Sequence, residues 1–160
     1  MSVSVKLREY LDQNQIKYAL ISHSIAYTAQ ELAAKMHVPG REMAKVVIVK
    51  IDGRFVMAVM PAHHQIDFER LKEATGAKQI ELATEREIEN LFPDCEVGAM
   101  PPFGNLYGLP IYLAKPLEED KEIVYNAGSH TEAIRMEYLD FIRLVNPAVI
   151  EYTYVANRKV

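Results

Sequence analysis

Two apolar runs joined by Asp52-Gly53 place the strongest constraint on the fold of this chain. Residues 46–51 and 54–60 are rich in β-branched and other apolar side chains, and the Asp-Gly pair between them is typical of a type I′ turn. The pattern predicts a β-hairpin. Because the first run is apolar on both faces, we expect it to lie centrally in a sheet that is covered on both sides.

Helix and strand signals follow one another without regular alternation along the rest of the chain. The patterns predict helices at residues 3–11, 28–36, 67–74, 84–92 and 138–145, and further strands at residues 17–22, 78–82, 109–114, 122–126, 131–136 and 149–155. Capping boxes open two of the helices, at Thr28 with Glu31 and at Thr84 with Glu87. This mixture predicts an α+β fold with a curled, mixed sheet.

The size and composition of the chain limit its class. Its 160 residues suit a single domain, 1–160, with a core that needs no disulfide. The one cysteine, Cys95, and the absence of a leader or of an apolar run near the ~20 residues that span a bilayer predict a cytoplasmic protein. A net charge of −4 argues against non-specific binding of nucleic acid over the whole surface.

Charge is nevertheless uneven. Residues 35–54 carry five basic side chains against two acidic ones, whereas residues 81–96 carry six acidic side chains against Arg86 alone. The first stretch is compatible with a small face that contacts a phosphate end, and both stretches are compatible with ordinary solvated surface.

Reactive side chains occur without the sequence signatures of common enzyme classes. The chain lacks G-x-S-x-G, Walker, G-x-G-x-x-G and H-E-x-x-H motifs. His63 and His64 are expected to diverge on extended chain and not to share a metal. Ser129 and His130 are expected to diverge likewise, and Cys95 is interpreted as a structural thiol.

Three features have both a structural and a functional interpretation. Lys45, at the mouth of the most apolar strand, is either a lysine reaching for solvent or a cation that meets a phosphate or carbonyl oxygen. The loop at residues 126–130 is either a hairpin turn that uses Gly128 or the polar rim of a pocket. The run EVGAMPPFG at residues 96–104 is either a rigid connector or a backbone that approaches a ligand.

Five segments together resemble the YbaK/EbsC-like aminoacyl-tRNA deacylases, which are related to the editing insertion of bacterial prolyl-tRNA synthetases. They are YTAQELAA, MAKVVIVKIDG, VMPAHHQIDFERL, GAMPPFG and NAGSH, in that order, and the resemblance runs from about residue 23 to residue 147. It implies a barrel-like mixed sheet with flanking helices. It also implies hydrolysis of the ester of a small amino acid wrongly attached to tRNA, without metal or cofactor.

The resemblance also implies a site and its partners. It places Lys45 and the glycines Gly98, Gly104 and Gly128 at the catalytic centre. The substrate-binding residues that we expect around them are Tyr27, Val46, Met57, Ala99, Met100, Pro101, Pro102, Phe103, Ser129 and His130. In this hypothesis backbone amides of the loop meet the developing oxyanion, and Lys45 holds a phosphate or ester oxygen. The partner is the 3′ acceptor end of aminoacyl-tRNA, with a cognate synthetase as a possible second partner.

Departures from the family pattern leave a second function open. Pro101 and Val46 stand where many members carry Ser or Thr, and Ala114 stands where an acidic residue is common. The missing hydroxyls favour a non-catalytic module of the same fold that binds a tRNA end, an aminoacyl adenosine or a metabolite. A third hypothesis is a regulator that binds a partner protein through the first helix or through an exposed Tyr152 and Tyr154 face.

Overall fold

The structure is a computed structural model that describes residues 4–24, residue 34 and residues 43–155. Apart from residue 34, the predicted helix at residues 28–36 lies outside the described residues. Its capping box at Thr28 and Glu31 and the expected substrate-binding residue Tyr27 lie outside them as well. No helix in the described ranges is long and apolar enough to span a bilayer.

Helices and short strands follow one another along the chain, as the mixed pattern predicts. The α-helices are α1 (Val5–Gln13), α2 (Phe68–Thr75), α3 (Glu85–Leu91) and α4 (Tyr138–Val145). The strands are β1 (Tyr18–Ser22), β2 (Ala44–Ile51), β3 (Arg54–Pro61), β4 (His64–Ile66), β5 (Ile80–Leu82), β6 (Ile111–Ala114), β7 (Glu122–Ser129), β8 (Glu132–Glu137), β9 (Ala148–Ile150) and β10 (Thr153–Val155). Short 3₁₀ turns lie at Gly104–Leu106 and Lys115–Glu119.

The strands form three sheets. The largest has the order β5-β2-β3-β6-β9, with parallel β3–β6 and β6–β9 pairs and antiparallel pairs elsewhere. A second sheet has the order β1-β8-β7, and β10 pairs with β4. A parallel bridge between Met43 and Val124 joins the start of β2 to β7. The fold is therefore α+β with mixed sheets, as predicted, and the sheets do not close into a barrel.

Successive side chains of the large sheet face two different cores. The main core contains side chains of β2, β3, β6, β7 and β8 together with α1, α4 and the loop that carries Met100 and Phe103. The second core lies on the other face and contains Val49, Met60, Leu71 and Tyr152. This alternation decides which residues of β2 and β7 can share a site.

The local signals predicted from sequence are confirmed where the chain is described. Asp52 and Gly53 both have positive φ, as a type I′ turn requires. Asp67 accepts from the amide of Arg70 at the start of α2, and Gly76 ends that helix in the left-handed conformation. Thr84 and Glu87 form the second predicted capping box.

The first apolar run is confirmed as an interior strand, β2, which lies between β5 and β3 with a core on each face. Three other expectations are corrected. The strand predicted at residues 149–155 is two strands, β9 and β10, in different sheets. Residues 126–129 are not a hairpin turn, because β7 continues through them with a bulge in its pairing to β8. Tyr152 is not exposed as expected but fully buried. Its ring packs in the second core, and its hydroxyl donates to the carbonyl of Tyr112 at 2.7 Å.

Candidate functional site

The two glycine segments predicted to form the site meet at the end of β7. The amide of Glu96 donates to the carbonyl of Gly128 at 2.8 Å, and the amide of Gly128 donates to the carbonyl of Ala99 at 2.9 Å. Residues 96–99 therefore run beside residue 128 like a short extra strand. The sequence places these segments about thirty residues apart, and the fold brings them into direct hydrogen-bonded contact.

His130 fixes the same contact from its other side. Its backbone amide donates to the Glu96 carboxylate at 2.6 Å, and its ring Nε2 lies 2.9 Å from the Val97 carbonyl oxygen. Because a carbonyl can only accept, Nε2 carries the proton. Ser129 is fully buried, and its hydroxyl lies 3.3 Å from that of Thr131. The ring of His130 is thus directed at Val97, in agreement with the prediction that Ser129 and His130 do not form a nucleophile–base pair.

The three glycines expected at the catalytic centre let parts of the chain approach each other closely. Gly98 has φ +89°, and a Cβ there would lie 3.4 Å from Cε1 of His130. Gly128 has φ +103°, and a Cβ there would lie 3.2 Å from Ser4. A Cβ at Gly104 would lie 3.0 Å from the carbonyl oxygen of Leu109. Close packing therefore favours glycine at positions 104 and 128, whereas at position 98 the contact is an ordinary one and the positive φ favours glycine.

The second half of the glycine–proline loop is buried. Ala99, Pro101, Pro102 and Gly104 are buried, and Met100 is 4% exposed. Phe103 is fully buried and packs edge-on against Phe141, with ring centroids 5.4 Å apart. The side chain of Phe103 therefore anchors the loop in the main core.

The loop amides differ in their availability. The amide of Ala99 donates to Glu96 and that of Phe103 donates to Pro101, so neither is available as an oxyanion donor. The amide of Gly98 faces only the thioether sulfur of Met100, at 3.2 Å, which is a weak acceptor. In the described part of the chain, the amides of Met100 and Gly104 have no acceptor.

Lys45 is partly buried near the start of β2. Burial lowers the pKa of its ammonium, and within the described ranges its Nζ has no hydrogen-bond or ion-pair partner. Its cross-strand neighbour is Met60 of the second core. Burial also lowers the pKa of His64, and the positive charges of His63 and Lys45 lower it further.

The even-numbered side chains of β2 face the opposite way. Val46 packs against the main core, as do Met57 of β3 and Met100 and Phe103 of the loop. Lys45 therefore projects from the face of β2 opposite to Val46, and its side chain does not point toward the side chains of Met100 and Phe103. What connects Lys45 to the glycine segments is β7, through the Met43–Val124 bridge at one position and Gly128 at another.

The other reactive side chains have structural surroundings. His63 lies on a turn and His64 begins β4, and their rings meet edge-to-face with centroids 4.6 Å apart, so the expectation that they diverge is wrong. They line a cavity of about 420 Å³ with Asp120 and Lys121. No group of three potential metal ligands occurs among the described residues. Burial raises the pKa of Cys95 to about 12, and its Sγ lies 3.5 Å from the Tyr107 hydroxyl.

Sequence reasoning missed the polar contacts that hold the glycine segments in place. The Ser4 hydroxyl donates to Asp94 at 2.6 Å, and the Tyr107 hydroxyl donates to the same carboxylate at 2.9 Å. The amide of Ser4 donates to the carbonyl of Ala127, beside Gly128. Burial alone would raise the pKa of Asp94, but the hydroxyl donors lower it overall. Pairing across ninety positions leaves no local signal in a sequence.

The basic run at residues 35–54 is only partly available for a ligand. Lys50 pairs with Glu87 at 2.9 Å and with Glu81 at 3.3 Å, so the acidic run neutralises it. Lys35 and Arg41 lie outside the described residues. Lys45 is thus the one lysine of this run, within the described ranges, that lacks a carboxylate partner.

Solved structures share this fold. A protein proposed to be a trans-editing enzyme for prolyl-tRNA synthetase superimposes with a TM-score of 0.81 at 18% identity, covering 94% of this chain and 96% of that one. A hypothetical protein superimposes with a TM-score of 0.83 at 20% identity, covering 93% and 99%. At these identities the likeness concerns the fold alone, an α+β fold with mixed sheets.

Sequence comparison identifies the family. The model of the aminoacyl-tRNA editing domain matches residues 23–144, so this chain belongs to the aminoacyl-tRNA editing domain family. The proline–tRNA ligase of Staphylococcus aureus (strain Newman) is 45% identical over 74 residues, which are 46% of this chain. The match spans 12% of that ligase's length. The resemblance found in the sequence is confirmed.

Proposed function

We propose that this protein is an aminoacyl-tRNA deacylase that acts in trans on a small amino acid wrongly attached to tRNA. Its substrate is the ester at the 3′ acceptor end. The observation that carries the proposal is that β7 contacts both parts: its Val124 bridges Met43, two residues before Lys45, and its Gly128 is hydrogen-bonded to residues 96–99. Within the described ranges the Lys45 ammonium has no partner. Membership of the editing-domain family supports the same reaction.

The reaction needs little from the protein because an aminoacyl ester is already activated. A water oxygen attacks the ester carbonyl and forms a tetrahedral oxyanion. The bond from the carbonyl carbon to the ribose oxygen then breaks, the ribose oxygen takes a proton, and the free amino acid leaves. The protein's task is to orient the water and the ester and to stabilise the oxyanion, and neither requires a metal, a cofactor or a covalent nucleophile.

Lys45 and selected loop amides are proposed to carry these tasks. The ammonium of Lys45 holds a phosphate or ester oxygen, and its partial burial strengthens that interaction relative to one in water. Gly98 is exposed and its amide faces only a sulfur, so it is the first candidate for an oxyanion donor. The amides of Ala99 and Phe103 are excluded from this role by their existing hydrogen bonds.

The remaining expected residues support the site in different ways. Gly128 and His130 fix residues 96–99 at the end of β7, and the buried Ser129 lies between them. Met100, Pro101, Pro102 and Gly104 stiffen the buried half of the loop, while Val46 and Met57 complete the core behind it. In this proposal specificity for a small side chain arises from the rigid walls these residues provide.

A binding module without turnover is the second candidate. It is favoured by the absence of hydroxyls at Val46, which packs on the main core, and at the buried Pro101. No side chain at these positions can orient a water. In this alternative Lys45 and the glycine segments hold a tRNA end or an aminoacyl adenosine and release it unchanged.

A deacylation panel separates the two candidates. Purified protein is incubated with tRNAs charged correctly and incorrectly with small amino acids, and the loss of aminoacyl-tRNA is compared with that in buffer. We expect at least one mischarged tRNA to be hydrolysed measurably faster than in buffer while its correctly charged counterpart is spared. A second series with added prolyl-tRNA synthetase tests dependence on that partner.

Hydrolysis of none of these tRNAs, with or without the synthetase, would contradict the deacylase. Binding of a non-hydrolysable aminoacyl-adenosine amide, measured by calorimetry in the same preparation, would then support the module.

A further inference from the structure

Asn126 is a buried polar residue whose side-chain oxygen lacks a hydrogen-bond donor among the described residues. It is 7% exposed, and its Oδ1 has no hydrogen-bond partner among the described residues. A buried amide oxygen without a donor is costly, and most such groups in folded proteins are satisfied. A ligand that brings a donor to this oxygen would remove the cost.

A single parallel bridge sets the start of β2, which carries Lys45, beside the part of β7 that carries Asn126. Met43 and Val124 face each other in the parallel bridge between β2 and β7. Two residues further along each strand come Lys45 and Asn126, which therefore lie on the same face. The opposite face is the main core, which holds Val46 from one strand and Tyr125 from the other.

Asn126 also marks the point where β7 leaves regular pairing. It pairs with Ala133 of β8, and the bulge follows immediately, before Ser129 pairs with Glu132. Bulges commonly re-aim side chains beside functional sites. Gly128, within this bulge, accepts from and donates to residues 96–99. On β7, Asn126 thus lies between Val124, which bridges Met43 of the Lys45 segment, and Gly128, which contacts residues 96–99.

The two side chains are complementary in kind. Lys45 can only donate, and Oδ1 of Asn126 can only accept. An aminoacyl ester carries phosphate and carbonyl oxygens at one end and a single cation, the α-ammonium, at the other. A carboxylate in place of Asn126 would pair with Lys45 and block both groups, whereas a neutral amide leaves the ammonium of Lys45 to the substrate.

Building on the proposed function, we infer that Asn126 binds the α-ammonium of the aminoacyl ester through Oδ1. Lys45 holds an oxygen at the other end of the same ester, so the two residues together fix its direction in the site. The site then distinguishes an aminoacyl ester from an acyl ester that lacks the amine.

The test compares two substrates that differ only in the amine. One is tRNA carrying the amino acid that the panel identifies, and the other carries the same acyl group without its amine. Each rate is divided by the rate in buffer, which removes the intrinsic activation of the ester by the ammonium. We expect wild type to prefer the amine by about tenfold or more, the size of a hydrogen bond to a charged group. We expect Asn126→Leu, a substitution of similar size, to abolish the preference, so that the ratio of the two corrected rates falls to about one.

Asn126→Ala removes the same acceptor without adding bulk, which keeps the test valid if the leucine variant does not fold. Asn105→Leu is the matched control, since this exposed asparagine contacts the Tyr10 hydroxyl instead. It is expected to keep the wild-type preference. A purely structural role for Asn126 would lower the rates of both substrates equally and leave the preference intact, and that result would overturn the inference.

Calorimetry separates this inference from the proposed function. The probes are the amides 3′-aminoacylamino-3′-deoxyadenosine with and without the α-amine, which cannot be hydrolysed. An amine preference in binding that disappears in Asn126→Leu and Asn126→Ala supports the inference even if the panel shows no turnover. Equal binding of the two probes by wild type would overturn it.

Discussion

The two halves of the run at residues 96–104 differ although both are rich in glycine or proline. Residues 96–99 are hydrogen-bonded to the end of β7 and include the exposed Gly98. Residues 100–104 are buried, with Phe103 inside the main core. One half is thus presented at the candidate site and the other holds it there. A run of special residues in a sequence can therefore contain a site and its scaffold side by side.

The largest effect is expected from the scaffold half. Phe103→Ala removes a fully buried ring that contacts Tyr125 and Phe141, and should lower the free energy of unfolding by about 3–5 kcal/mol. Urea denaturation measures it, with the partly buried Leu106→Ala as a milder control in the same loop. A loss below about 1 kcal/mol would show that the ring is not a core anchor.

The site half should respond in rate as well as in stability. Gly98→Ala forces a side chain to adopt φ +89°, at a cost of about 1–2 kcal/mol, and displaces the exposed amide. Gly76→Ala is the matched control, because Gly76 also has positive φ, at the end of α2. We expect similar losses of stability but a slower deacylation only for Gly98→Ala. Equal rates for the two variants would remove residues 96–99 from the site.

A smaller effect is expected at Asp94, which joins the start of α1 to residues on either side of the run. Asp94→Asn weakens the hydrogen bonds from Ser4 and Tyr107, with a loss of about 1 kcal/mol at neutral pH. Although burial opposes them, those donors lower the pKa of Asp94 below its ordinary 3.8. The stabilisation that Asp94 provides is therefore complete above its ordinary pKa of 3.8. It disappears as the pH falls through the lower pKa of the folded protein.

Thermal unfolding of wild type and Asp94→Asn over a pH series checks the sign of this linkage. The difference in melting temperature should be constant near neutrality and should narrow below about pH 4. A difference that widens on acidification would contradict the assignment.

The smallest effect is expected at Cys95. Burial raises its pKa to about 12, so almost no thiolate exists near neutral pH. Iodoacetamide should label the folded protein far more slowly than the unfolded one, and deacylation by Cys95→Ala should stay near the wild-type rate. Rapid labelling of the native protein, followed by mass spectrometry, together with loss of activity would indicate thiol chemistry.

Local signals allowed much of the fold to be predicted. The hairpin at Asp52-Gly53 and the caps at Asp67 and Thr84 depend on residues within one turn of each other, and all three are found. The division of residues 149–155 into β9 and β10 depends on pairing with β6 and β4, which lie far away in sequence. Local propensity cannot indicate such pairing.

The candidate site was predicted in its parts but not in its arrangement. The sequence pointed to Lys45 and to both glycine segments, and the structure joins the segments through Gly128. The sequence did not show that Val46 lies on the same face of β2 as Met100 and that Lys45 lies on the opposite face. That prediction requires knowing which face of β2 covers the main core. The contact between Ser4 and Asp94 had no signal at all.

The most direct test of the account is the single-turnover deacylation rate of Lys45→Ala beside that of Lys50→Ala. Both lysines belong to β2, but Lys50 is paired with Glu81 and Glu87 whereas Lys45 has no partner in the described ranges. The account predicts a loss of about a hundredfold or more for Lys45→Ala, as for the removal of a donor to an oxyanion. It predicts a rate near that of wild type for Lys50→Ala. A full wild-type rate for Lys45→Ala would contradict the central claim that its ammonium acts in the site.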